Sequence, residues 1–135
     1  MDFGLRKKTA LVMSSSRGLG EGVAKALASE GAHVLLTGRN ELKLREIIVE
    51  IEEAGGQADF IVADLVEPSS VNIIQSAARE KLGHVDIFVA NTGGPPPGII
   101  SSVDPSSLIK QIEMMVVRIV ELSSEFIPDM KAAGW

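Results

Sequence analysis

An α/β fold, a doubly wound parallel sheet of four strands in the order 3-2-1-4 with helices on both faces, is what this chain predicts. Three observations carry that prediction. Short apolar runs alternate with longer segments of helical periodicity, in the order β-α-β-α-β-α-β-α. No two apolar runs are joined by a tight hairpin turn, so the strands need crossovers and run parallel. The stretches richest in Gly, Ser, Asn and Asp fall where strands end and helices begin, on the rim where open α/β sheets hold ligands. The 135 residues suit a single domain, and 45% of them are hydrophobic, enough for a packed core.

Residues 1–8 are a lead-in whose Lys7 and Lys8 are expected to be solvated. Ala10-Leu11-Val12-Met13 is the first strand. The first helix is expected over Gly18–Ser29, stopping at Gly31. Residues 32–37 form the second strand. Asn40 then caps a helix carrying Leu42, Leu44, Ile47, Ile48 and Ile51, ended by Gly55-Gly56. Its other face is charged and solvated, with Glu41 and Arg45 an i,i+4 pair. Residues 58–63 are the third strand, and Pro68-Ser69-Ser70 opens a helix over 71–82 that Gly83 closes. Residues 84–90 form the fourth strand.

A loop rich in Gly and Pro, 91–98, leads to Asp104-Pro105, a cap followed by a proline at the first helical position. Leu108, Ile112, Met115, Ile119, Leu122 and Phe126 then recur at helical spacing. Ile109, Val116, Val120 and Ile127 widen that stripe. Met114 and Met115 are expected to fill core space, Pro128 to kink or break the helix, and Gly134 to end it.

The corner after the first strand is the chemical centre. Ser14, Ser15, Ser16, Arg17, Gly18, Leu19 and Gly20 join strand to helix. Small residues let the backbone approach a ligand, and the free N–H groups of the helix start favour a diphosphate. Near the end of the second strand, eighteen residues after Gly20, dinucleotide-binding folds carry an acid for a ribose 2′-hydroxyl; an arginine there suits a 2′-phosphate. Gly38 occupies the place of the acid and Arg39 follows it, which favours NADP over NAD.

This pattern resembles the short-chain dehydrogenase/reductase family, whose Rossmann-like corner reads T-G-x-x-x-G-x-G. Met13 and Ser14 stand where its threonine and first glycine fall. Asp64-Leu65 resembles the family's post-strand pair, implying that Asp64 holds the adenine amino group. Asn91-Thr92-Gly93 resembles the end of its N-N-A-G pattern. That implies a structural role for Asn91 and close approach of the nicotinamide-side ribose at Gly93. Pro128-Asp129-Met130 resembles the end of the family's fourth helix. Counting back thirteen residues from Pro128 places the family's catalytic asparagine at Met115, so that group is absent.

The resemblance implies hydride transfer between a nicotinamide and a carbonyl or alcohol, as in 3-oxoacyl carrier-protein reductases or sugar dehydrogenases. The family's proton-transfer tyrosine and its lysine four residues on are expected beyond Trp135, and this chain contains no tyrosine. The expectation is therefore a truncated, cofactor-binding part with no catalytic residue of its own. A small-molecule substrate is expected only where the missing part is present. Two alternatives stay open: a non-catalytic module that binds NADP(H) or pairs through its last helix, and an inactive remnant.

Other classes are disfavoured. A net charge of −5 without a basic block argues against nucleic acid or an anionic membrane. The chain has no cysteine, excluding disulfides and thiolate metal sites. His33 and His84 open strands at the far end of the sheet, and no metal site is expected. No signal peptide or membrane-length apolar run is visible, so a cytoplasmic protein is expected. Self-association, as a homo-oligomer, is expected through residues 108–127.

Overall fold

The computed structural model describes residues 1–135. Four parallel strands, β1 (Thr9–Val12), β2 (His33–Gly38), β3 (Gln57–Val62) and β4 (Ile87–Val89), lie in the order β3-β2-β1-β4. Val12 stands opposite Leu36 on one side and Val89 on the other, so the carboxyl ends of the central strands form one rim. The connecting helices are α1 (Gly18–Ser29), α2 (Glu41–Glu53) and α3 (Ser70–Leu82). After β4 come a short 3-10 turn, α4 (Pro105–Ile112), one π-helical turn (Glu113–Val117) and α5 (Arg118–Ala133).

Alternation along the buried strands builds two cores. Ala10 and Val12 of β1, with Val34 and Leu36 of β2, face α1 and α2 and meet Ala24, Ala28, Leu44, Ile47 and Ile51. Leu11, Met13 and Leu35 face the opposite way, onto Ile74, Ala78, Leu122 and Phe126 of α3 and α5. Both faces of the central strands are thus covered, as a parallel sheet requires. Arg79 of α3 and Glu125 of α5 are ion-paired across the second layer. The caps are where the sequence puts them: Asn40 accepts from the Lys43 N–H at 3.1 Å and Asp104 from the Ser107 N–H at 3.0 Å. Glu41 and Arg45 pair as expected.

Three expectations need correction. The fourth strand is shorter than 84–90: its pairing with β1 starts at Ile87, and just before it the Asp86 side chain takes the place of a main-chain acceptor for Thr9. Asp86 accepts from the Thr9 N–H at 2.9 Å, and its own N–H returns to the Thr9 carbonyl at 3.0 Å.

Of the two outcomes expected at Pro128, a kink or a break, the break does not occur. α5 runs through it to Ala133 and ends at Gly134 with φ 69°. Pro128 and Ser124, whose carbonyl loses the bond, both lie on the solvent side, while Phe126 and Met130 hold the helix to the core.

The single apolar stripe is split. The π turn takes an extra residue and rotates the helix about its axis. Leu122 and Phe126 are buried, but Leu108, Ile112 and Met115 are exposed. Met114, not Met115, packs on the core.

Candidate functional site

A crevice of about 490 Å3 opens at the carboxyl rim, where the strand order reverses between β1 and β4. That volume falls within the ~300–1,000 Å3 of ordinary ligand sites. Each strand end contributes. Ser14, Ser16, Arg17, Gly18 and Leu19 come from the β1–α1 corner, and Thr37, Gly38 and Arg39 from the end of β2. Asp64 and Leu65 follow β3, while Asn91, Thr92 and Gly93 follow β4. Two residues of the corner do not face the crevice. Ser15 is fully buried, and Gly20 is buried beneath the loop.

The corner is held from below. The Ser15 hydroxyl donates to the Val12 carbonyl at 2.9 Å and accepts from the Thr37 N–H at 3.0 Å. The Ser15 N–H donates to the Thr37 carbonyl at 2.7 Å, and the Ser14 N–H to the Thr37 hydroxyl at 3.1 Å. Asn91 closes the other side, its amide donating to the carbonyls of Met13 at 3.3 Å and Ser14 at 3.2 Å. This is the tying role expected of it.

Gly20 fits because it has no side chain: a Cβ there would stand 2.4 Å from the Ser14 carbonyl oxygen and 2.8 Å from Asn91 Nδ2. Ser14 adopts φ 48°, the left-handed region that glycine enters freely.

Above this support the main chain is free. Arg17 precedes α1 in an extended conformation and caps nothing with its side chain. The first backbone bond of the helix is Glu21 N–H to the Arg17 carbonyl, so the N–H groups of Ser16 through Gly20 take no protein acceptor. They sit at the positive end of the α1 dipole. Arg17 and Arg39 also line a second depression beside the crevice, with Ser16, Asn40, Lys43 and Glu41, whose carboxylate is paired with Arg45. Gly38 abuts Ser16: a Cβ on it would lie 3.0 Å from Ser16 Cβ. An acidic side chain there would crowd the corner and set a negative charge against an anion.

The one carboxylate lining the crevice itself is Asp64, whose Oδ1 accepts from the Val66 N–H at 3.0 Å. It is therefore held in place while lining the crevice. His33 and His84 stand away from this rim, paired with Asp59 and Asp86. Met115 does not line the crevice either, and no group of three or more His, Asp or Glu residues could hold a metal.

Residues outside the sequence-based set also line the site: Thr37, Ala63, Val66, Gly94, Gln111 and Met114. Gln111 was findable, as a lone amide inside an otherwise apolar helical stripe. Thr37 was hidden by lying inside a strand.

The family described as short chain dehydrogenase matches residues 8–135. This chain belongs to the short-chain dehydrogenase family. A curated short-chain relative, the 7α-hydroxysteroid dehydrogenase of Clostridium sardiniense, is 32% identical over 133 residues, 96% of this chain and 51% of the relative. Among solved structures, L-sorbose reductase of Gluconobacter frateurii, complexed with NADPH and L-sorbose, superimposes with a TM-score of 0.91 at 30% identity. That match covers 99% of this chain and 51% of the reductase. A 3-oxoacyl (acyl-carrier-protein) reductase of Agrobacterium tumefaciens with NADP bound gives 0.90 at 34% identity, covering 99% and 52%. The chain thus spans about half the length of these short-chain dehydrogenase relatives. The fold, Rossmann-like with strand order 3-2-1-4, is the one they share.

Proposed function

We propose that this chain is the NADP-binding part of an oxidoreductase that moves a hydride between a nicotinamide and a carbonyl or alcohol carbon. The observation that carries the proposal is the corner at Ser16 to Leu19. Its unpaired N–H groups open on the same rim as Arg17 and Arg39. The diphosphate takes the N–H groups and the helix dipole, and the 2′-phosphate takes the depression between Arg17 and Arg39. Asp64 accepts from the adenine amino group, and the glycine run after Asn91 lets the nicotinamide-side ribose lie against the backbone. NAD is the poorer ligand, because Gly38 leaves no carboxylate for its 2′-hydroxyl.

When bound, the dinucleotide supplies the hydride carrier. This chain's residues bind and orient it, but they offer no proton-transfer group beside it: there is no tyrosine, and the histidines stand away from the crevice. Chemistry on a 3-oxoacyl (acyl-carrier-protein) or on L-sorbose, the compounds named for two solved relatives, would need residues outside this chain. The test is a fluorescence titration of NADPH against the isolated chain. Saturable binding below millimolar supports the proposal, and none at millimolar cofactor removes it.

The exposed apolar residues of 108–127 carry a second proposal, self-association. Leu108, Ile109, Ile112, Val116 and Val120 lie bare on consecutive turns, and β4 is an unpaired edge of the sheet.

A further inference from the structure

Gln111 is the polar group in the crevice that the nucleotide reading leaves unused. It lies on α4 one turn before Met114, and both residues line the crevice. Met114 also packs against the core layer that contains Ala63 and Leu65, and Ala63, Asp64 and Leu65 line the same crevice as Gln111. The Gln111 Oε1 is buried and has no hydrogen-bond partner. A shielded amide oxygen without a donor is unfavourable, and the last torsion of a glutamine is soft enough to turn it toward one.

We propose that Gln111 is a specificity-determining residue for the base of the bound dinucleotide, reading adenine beside Asp64. The inference rests on the nucleotide reading of this crevice. A carboxamide matches one edge of adenine with two bonds, its oxygen accepting from the exocyclic amino group and its NH2 donating to a ring nitrogen. Asp64, fixed by the Val66 N–H, accepts the second proton of that amino group. Together they require an amino group at the six position. A base with a carbonyl there meets the oxygen of Gln111 and the carboxylate of Asp64 with lone pairs on both sides.

The experiment titrates the full chain with NADPH and with reduced nicotinamide hypoxanthine dinucleotide phosphate, which carries that carbonyl. Wild type is expected to prefer NADPH, and Gln111→Leu to lose about tenfold of that preference, the worth of a bidentate amide–adenine contact. Gln111→Met serves as the second variant should circular dichroism show Gln111→Leu unfolded. NADPH binding with an unchanged preference in the folded variant overturns the role of Gln111 and leaves the nucleotide site standing. Failure of wild type to bind either compound overturns the nucleotide site, and this inference with it.

Discussion

The side-chain amide of Asn91 donates to the carbonyl oxygen of Ser14 at 3.2 Å, across the point where the strand order reverses. With its second bond, to Met13, it fastens the end of β4 to the corner after β1. Asn91→Ala removes both bonds and leaves two part-buried carbonyls short of a donor. The expected cost is about 1–2 kcal/mol in urea unfolding. NADPH affinity should fall as the corner loosens. Unchanged stability together with unchanged affinity would contradict the fastening role.

Ser14 holds φ 48° where the resembled family has glycine, a conformation that costs an L-residue about 1–2 kcal/mol. Its hydroxyl makes no bond in the protein that offsets this; the Thr37 and Asn91 contacts are to its backbone. Ser14→Gly is therefore expected to stabilise the chain by about 1 kcal/mol in thermal or urea unfolding. A destabilised variant would show that the serine side chain does something the geometry does not reveal.

The pattern of these residues was legible in advance to different depths. The helix layers on both sheet faces, the Asn40 and Asp104 caps and the crevice rim followed from periodicity and turn chemistry, and the strand order from the right-handed crossovers of the doubly wound arrangement. The tying role of Asn91 came from the resemblance and is met by its two bonds. Ser15 was legible as part of the corner but not as its buried support, since one sequence position does not say which way a hydroxyl turns. The π turn at 113–117 was invisible for a related reason. An apolar stripe specifies a face only while the helical repeat stays constant, and one extra residue moved Met115 out and Met114 in. Gln111 shows the reverse error: its polarity was on view, but the apolar residues around it were read as a uniform face.

Asp86 sets an acid limit on stability. Burial alone would push its carboxyl up. The Thr9 N–H, the charges of His84 and Lys8 and the Thr9 hydroxyl outweigh burial and hold it below the ordinary aspartate value. A depressed native pKa adds stability that is present above the unfolded value, ~3.9, and is lost as pH falls through the native one. Stability should therefore drop below about pH 4. Asp86→Asn is expected to cost about 2 kcal/mol at neutral pH and to flatten the acid limb. An equally steep acid limb in the variant would assign the loss to other carboxylates.

The bare face of α4 and the π turn should make the chain associate. Sedimentation is expected to show mass increasing with protein concentration. Placing charge on that face, with Ile112→Glu and Val116→Glu together, should restore a monomer, because both side chains are exposed and neither supports a core. A wild-type monomer at every concentration would remove the self-association proposal.

The central claim is that the rim between Arg17 and Arg39 receives a 2′-phosphorylated dinucleotide. Its most direct test is a comparison of NADPH and NADH affinity in wild type and Arg39→Ala, read by cofactor fluorescence at fixed ionic strength. The account predicts a clear wild-type preference for NADPH and, in the variant, a loss of about tenfold for NADPH with little change for NADH, since only the phosphate loses a charged partner. Equal binding of the two cofactors by wild type, or equal losses in Arg39→Ala, would contradict it.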